Sequence, residues 1–152
     1  MQYSLLEQER IQDPDMGWIT LAVRMKLDLA GLKLRLQDWQ KLPIAQRRAL
    51  HDAAVETEQQ IARFSRLLVD MLRENNCDAP RPLPQSKHTD IERWKHAGVM
   101  PQEVMACADT AGIRIEWAEL DRFGRYVLWT LAKKGAIERF SAAADELITR
   151  NK

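Results

Sequence analysis

The sequence predicts an all-α protein, a compact bundle of about six helices, and three observations predict it. Apolar residues recur at spacings of three and four over several stretches, the period of a helix with one buried face. Thr57-Glu58-Gln59-Gln60 is a capping box, a hydroxyl followed three residues later by a glutamine. Ala30-Gly31 and Ala111-Gly112 are twin stop signals, because glycine suits the left-handed position just past a helix C-terminus.

In chain order, the residues before Trp18 mix Gln, Glu and Asp with Pro14 and Gly17, and predict a partly ordered lead-in. From Ile19 to Ala30 the apolar arc is wide, which predicts a helix covered on several sides. After Gly31, Leu32-Lys33-Leu34-Arg35-Leu36 alternates apolar and polar and reads as extended. Gln37 or Asp38 opens a short turn carrying Trp39 and Leu42, and Pro43 begins a helix to about Ala54. The capping box starts the clearest amphipathic helix, with Ile61, Phe64, Leu67, Leu68, Met71 and Leu72 on one face as far as Asn75. Ala79-Pro-Arg-Pro-Leu-Pro84 is a semi-extended linker, and Trp94 is expected to fold the linker back onto the core. Pro101 opens a helix to Ala111, Ile113-Arg114-Ile115 is extended, and Glu116 to Leu120 is a short turn. Asp121 caps a helix to about Lys134, Gly135 breaks it, and a last helix runs from Ala136 to Thr149.

The central stretch returns about eighty residues later, a spacing that signals an internal repeat. Val104, Asp109, Ala111 and Gly112 repeat Val23, Asp28, Ala30 and Gly31, and Ile113-Arg114-Ile115 matches Leu32-Lys33-Leu34 like for like. Trp117, Leu120, Arg125 and Leu128 then answer Trp39, Leu42, Arg47 and Leu50, and Arg139-Phe140-Ser141 repeats Arg63-Phe64-Ser65. The expectation is a single domain over 1–152, with degenerate repeats over 18–75 and 100–150 and a proline-rich linker over 76–99. If a two-fold axis relates the repeats, Leu32–Leu36 should pair antiparallel with Ile113–Glu116. The resulting tiny ribbon would turn a basic outer face of Lys33, Arg35 and Arg114 to water.

The string Val23-Arg-Met-Lys-Leu-Asp-Leu-Ala-Gly-Leu-Lys-Leu34, followed by Trp39, Leu42 and Arg47-Arg48, resembles the nitrate reductase-associated protein family. Trp18 to Leu72 carries most of the resemblance, and Trp117, Leu120 and Arg125-Tyr126-Val127-Leu128 are similar to its closing segment. Where the family pattern has a Pro-Cys pair after the second helix, this chain has Ala53-Ala54-Val55. The resemblance implies an accessory or interaction protein of nitrate assimilation, whose partner is another protein of that pathway. It supplies no chemistry.

Composition bounds the remaining classes. A net charge of +1 argues against a dedicated nucleic-acid binder, which usually carries a strong basic excess. No apolar run approaches the roughly 20 residues that span a bilayer. The opening residues lack the basic start and apolar core of a secretory leader, so the cytoplasm is the expected compartment. There Cys77 and Cys107 are expected to be free thiols. His88, His96, Cys77 and Cys107 show no zinc-ligand spacing, and neither a phosphate-cradling glycine loop nor a nucleophile elbow is present. No catalytic residue, metal ligand or cofactor is therefore assigned.

The candidate functional or buried polar residues are Lys26, Asp28, Arg47, Asp109 and Arg125. Lys26 falls inside an apolar arc, so either its stem covers the core with the ammonium at the surface, or it is partly buried with a carboxylate or ligand partner. Arg47 and Arg125 occupy matching positions, which predicts a structural salt bridge in each repeat rather than anion binding. Asp28 and Asp109 each precede an Ala-Gly turn and are expected to accept a hydrogen bond or pair with a cation. Two alternatives to an interaction protein remain. One is a small enzyme or ligand binder with a pocket around Lys26, Asp28 and Arg47. The other, disfavoured by the neutral charge, is a helix-turn-helix DNA binder using Arg47, Arg48 and His51.

Overall fold

The computed structural model of the chain describes residues 6–150. Residues 1–5, on which the absence of a leader was expected, lie outside the described residues. The chain divides into two compact units, Met1–His88 and Thr89–Lys152. Nearly all regular structure is helical. Nine α-helices are found among the described residues, three more than expected, and the additional ones are short or polar.

In the first unit, α1 (Glu7–Gln12) orders a lead-in that was expected to be only partly ordered. Its Glu9 carboxylate explains how: Oε1 accepts the Leu6 N–H at 3.2 Å and Oε2 accepts the Leu21 N–H at 2.9 Å, an orphan donor at the start of the next helix. Helix α2 (Leu21–Ala30) is capped by Thr20, whose hydroxyl accepts the Val23 N–H, and it ends at Gly31 with φ of 70°. Strand β1 (Leu32–Lys33), α3 (Leu36–Lys41) and α4 (Ile44–Asp52) come next. Helix α5 (Glu58–Glu74) opens with the expected capping box and packs on α2 and α4. Phe64, Leu68, Met71 and Leu72 form its buried face, and each contributes about 1.5–3 kcal/mol by leaving water.

The expected ribbon exists with a different partner. β1 pairs antiparallel with β2 (Arg81–Pro82), Leu32 opposite Pro82 and Lys33 opposite Arg81, and Leu83 N–H donates to the Gly31 carbonyl at 2.9 Å. Ile113–Glu116 forms no strand, which corrects the two-fold pairing and the shared basic face built on it. The physical reason is local. Proline already holds the 81–84 segment extended, and Pro82 lacks only a donor that an edge strand can spare. Beyond β2, α6 (Gln85–Lys95) is helical where an irregular linker was expected.

In the second unit Pro101 precedes α7 (Gln102–Ala111), which ends at Gly112 with the same φ of 70°. A 3-10 turn over Trp117–Glu119 leads to α8 (Arg122–Lys133), whose Asp121 cap accepts the Gly124 N–H at 2.7 Å. Phe123 to Trp129 are all buried, so α8 is the central helix of this unit, and α7 and α9 (Ile137–Arg150) pack on it. Trp94 is buried as expected, with its ring edge-on to Tyr126 at 5.0 Å.

Trp39 and Trp117 are both buried, at 0% and 5% exposure, and each indole N–H reaches a main-chain carbonyl: Met16 at 2.7 Å and His96 at 3.0 Å. Trp39→Ala is therefore expected to cost about 3–5 kcal/mol. A urea midpoint that barely moves would contradict the anchoring role of this ring.

Candidate functional site

The most unusual group in the first unit is Lys26. It lies on the α2 face toward α4 and is 0% exposed, so the ammonium is not at the surface and that expectation is corrected. Nζ donates to the Leu50 carbonyl at 3.4 Å and to the His51 carbonyl, both in the last turn of α4. These are carbonyls that a helix C-terminus leaves without intrahelical donors, and a cation there also meets the negative end of the helix dipole. Burial pulls the Lys26 ammonium from its ordinary 10.5 down to about 7, while the charges of Asp52 and Glu56 act in the opposite direction. Beside it, Thr20 Oγ1 and His51 Nδ1 lie 2.9 Å apart, within hydrogen-bond distance, and both side chains are buried. The polar junction is thus Thr20, Lys26 and His51. Sequence reasoning missed Thr20, although its place directly before the helix marked it as a cap; nothing in the sequence linked it to His51.

The salt bridges expected of Arg47 and Arg125 are absent among the described residues. Their guanidinium groups bind main-chain carbonyls instead. Arg47 donates to Trp39 and Gln40 at the end of α3 (3.3 and 2.7 Å) and to Asp15 and Met16 before α2 (3.2 and 3.5 Å). Arg125 donates to Trp94 and Lys95 at the end of α6 (3.0 and 3.2 Å) and to Leu120 at 2.6 Å. Burial, aided by the charge of Arg122, lowers the Arg125 pKa, and Asp121 opposes the shift. A rigid fork of five N–H donors suits such convergent carbonyls better than an ammonium does.

The remaining candidates are dispersed. Asp28 is half-buried and Asp109 is exposed. Arg35 is bound to Asp38, which is 3% exposed, and to Asp78, while the exposed Arg114 pairs with Glu116. Lys33 is exposed on β1. These three cations do not share one ribbon face. Of the residues named for a helix-turn-helix reader, His51 is buried, Arg47 is half-buried and bound to main-chain carbonyls, and Arg48 is exposed. Cys77 and Cys107 are free thiols, and burial raises the Cys107 pKa. Among the described residues, no three His, Cys, Asp or Glu side chains converge as a metal site. No helix there is long and apolar enough to cross a membrane.

Because folded Lys26 holds its proton less tightly than the unfolded chain, stability rises with pH between about 7 and 10.5 by up to about 1.4 kcal/mol per pH unit. Lys26→Met removes that titration, so its cost relative to the wild type should grow from pH 6 to pH 9 in paired urea melts; a pH-independent difference would refute the buried ammonium. Arg125→Lys keeps the charge and loses the fork, and should lower stability by about 2 kcal/mol, the sum of weakened carbonyl bonds. Thermal melts at neutral pH would reveal it, and an unchanged midpoint would show that these carbonyls find other donors.

No curated protein and no solved structure matches the chain. One family model does, that of the conserved nitrate reductase-associated proteins, and its match spans residues 5–147. The match takes in the Lys26 junction and both arginine clusters, and on that coverage the chain belongs to the nitrate reductase-associated protein family.

Proposed function

We propose that the chain is a non-enzymatic accessory protein of nitrate assimilation, acting in the cytoplasm by binding another protein of the pathway. The observation that carries this reading is the family match over residues 5–147, whose description ties the family to nitrate reductase. The chemistry of the candidate residues supports it. Lys26, Arg47 and Arg125 each donate to main-chain carbonyls, a use that suits holding a fold together. A ligand-binding reading around Lys26, Asp28 and Arg47 draws less support, because binding would have to displace those bonds and strand buried carbonyls at about 1–3 kcal/mol each.

The test is direct. The purified chain, mixed with nitrate reductase from the same organism, should co-elute with it on size exclusion. Deleting the gene should slow growth with nitrate as sole nitrogen source and leave growth on ammonium unchanged. No complex, together with equal growth on both nitrogen sources, would overturn the proposal.

A further inference from the structure

The second unit carries an open groove of about 640 Å³ between the end of α7 and one face of α9. Its floor is Ile113, Ile137 and Ile148, and Glu138, Ser141 and Asp145 also line it. No Lys or Arg lines it among the described residues. The first unit shows what can lie against the matching edge. Through the matches Gly31 to Gly112, Leu32 to Ile113 and Phe64 to Phe140, α2 and α5 correspond to α7 and α9, and both phenylalanines are buried. Leu32-Lys33-Leu34 is half-buried, exposed and buried in turn, and Ile113-Arg114-Ile115 has the same pattern.

In the first unit this edge is covered. β2 pairs with Leu32–Lys33, Leu83 N–H donates to Gly31 O, and Leu83 itself is buried. Leu72, the counterpart of Ile148, is 0% exposed there. In the second unit the edge is bare. Among the described residues no main-chain donor reaches Gly112 O, no strand pairs with Ile113–Arg114, and Ile148 is only half-buried. The lining has changed in charge too, since Glu138 and Asp145 stand where the first unit has Ala62 and Val69.

We propose that this groove binds an extended basic peptide of a partner protein, one carrying a leucine next to proline, which adds as a strand along Gly112–Arg114. An extended edge supplies main-chain hydrogen bonds to any extended chain, the apolar floor takes one side chain, and the two carboxylates select an Arg or Lys at the position opposite Ile113, the register that Pro82 has with Leu32 in the first unit. The proposal rests on the interaction-protein reading and names the chemistry that the partner presents.

The probe is a fluorescein-labelled peptide, Ala-Pro-Ala-Arg-Leu-Pro-Gln, which is residues 79–85 with Arg81→Ala and Pro82→Arg, so that its arginine falls opposite Ile113 on the groove side and not opposite Arg114. Titrated with the full chain, it should bind saturably, with amide shifts in nitrogen-15 spectra centred on Gly112, Ile113, Arg114 and Ile148. The double variant Glu138→Lys, Asp145→Lys should weaken binding roughly tenfold or more, as should glutamate in place of the peptide's arginine. Both substituted positions are exposed, and an unchanged circular dichroism melt would show that the variant folds. Absence of saturable binding, shifts centred elsewhere, or affinity indifferent to the charge reversal would overturn the proposal. So would a dimer in which a second copy protects the same amides. A chain that binds the peptide and ignores nitrate reductase would retain the groove and sink the proposed function; the reverse result would do the opposite.

Discussion

Main-chain carbonyls left over where helices end or turn are the constraint on which this structure depends. A buried carbonyl without a donor costs about as much as a lost hydrogen bond, and short helices joined by tight turns generate many of them. The chain meets them with long side chains reaching across the sequence. Arg47 closes the end of α3 onto the turn before α2, and Arg125 closes the end of α6 onto the start of α8. Trp39 and Trp117 add an indole N–H to the same two junctions. The Met16 carbonyl shows the tightness of the arrangement. It accepts from Trp39 and Arg47 while its own residue is buried with φ of 56°, a left-handed conformation that a methionine adopts only when its surroundings hold it there.

Much of this was legible in the sequence, and the division between what was and was not has a physical basis. Thr57, Asp121, Gly31 and Gly112 act within four residues of themselves, so their roles as caps and stops can be read without a fold. The same is true of the apolar faces of α5 and α9. The size of Trp39 and Trp117 made burial the natural expectation, and they are buried. Helix α1 escaped notice because it lacks an apolar stripe, and the N–H that its Glu9 carboxylate accepts comes from Leu21, on the next helix. The partner of β1 escaped for a similar reason. Alternation identifies a strand and says nothing about which extended segment will lie beside it.

The arginines make the same point about sites. Their repeated position suggested a salt bridge in each repeat, with carboxylate partners, and the structure supplies carbonyls instead. An arginine amid short helices has two competing kinds of acceptor. Carboxylates can stay at the surface in water, whereas a carbonyl at a buried helix end cannot move there, so the donor goes to the group with no alternative.

Lys26 obeys the same reasoning at its limit. A lysine buried among Ala22, Val23, Leu27 and Leu50 would ordinarily be too costly to keep charged, and its pKa falls accordingly. What keeps it inside is the C-terminus of α4, where the Leu50 and His51 carbonyls need donors and the helix dipole favours a cation. A lysine with a pKa near neutrality often marks an active site, because desolvation tunes it for proton transfer. Here the ammonium is fully buried and donates to the Leu50 and His51 carbonyls. The shifted pKa thus goes with the burial that places α2 against the end of α4.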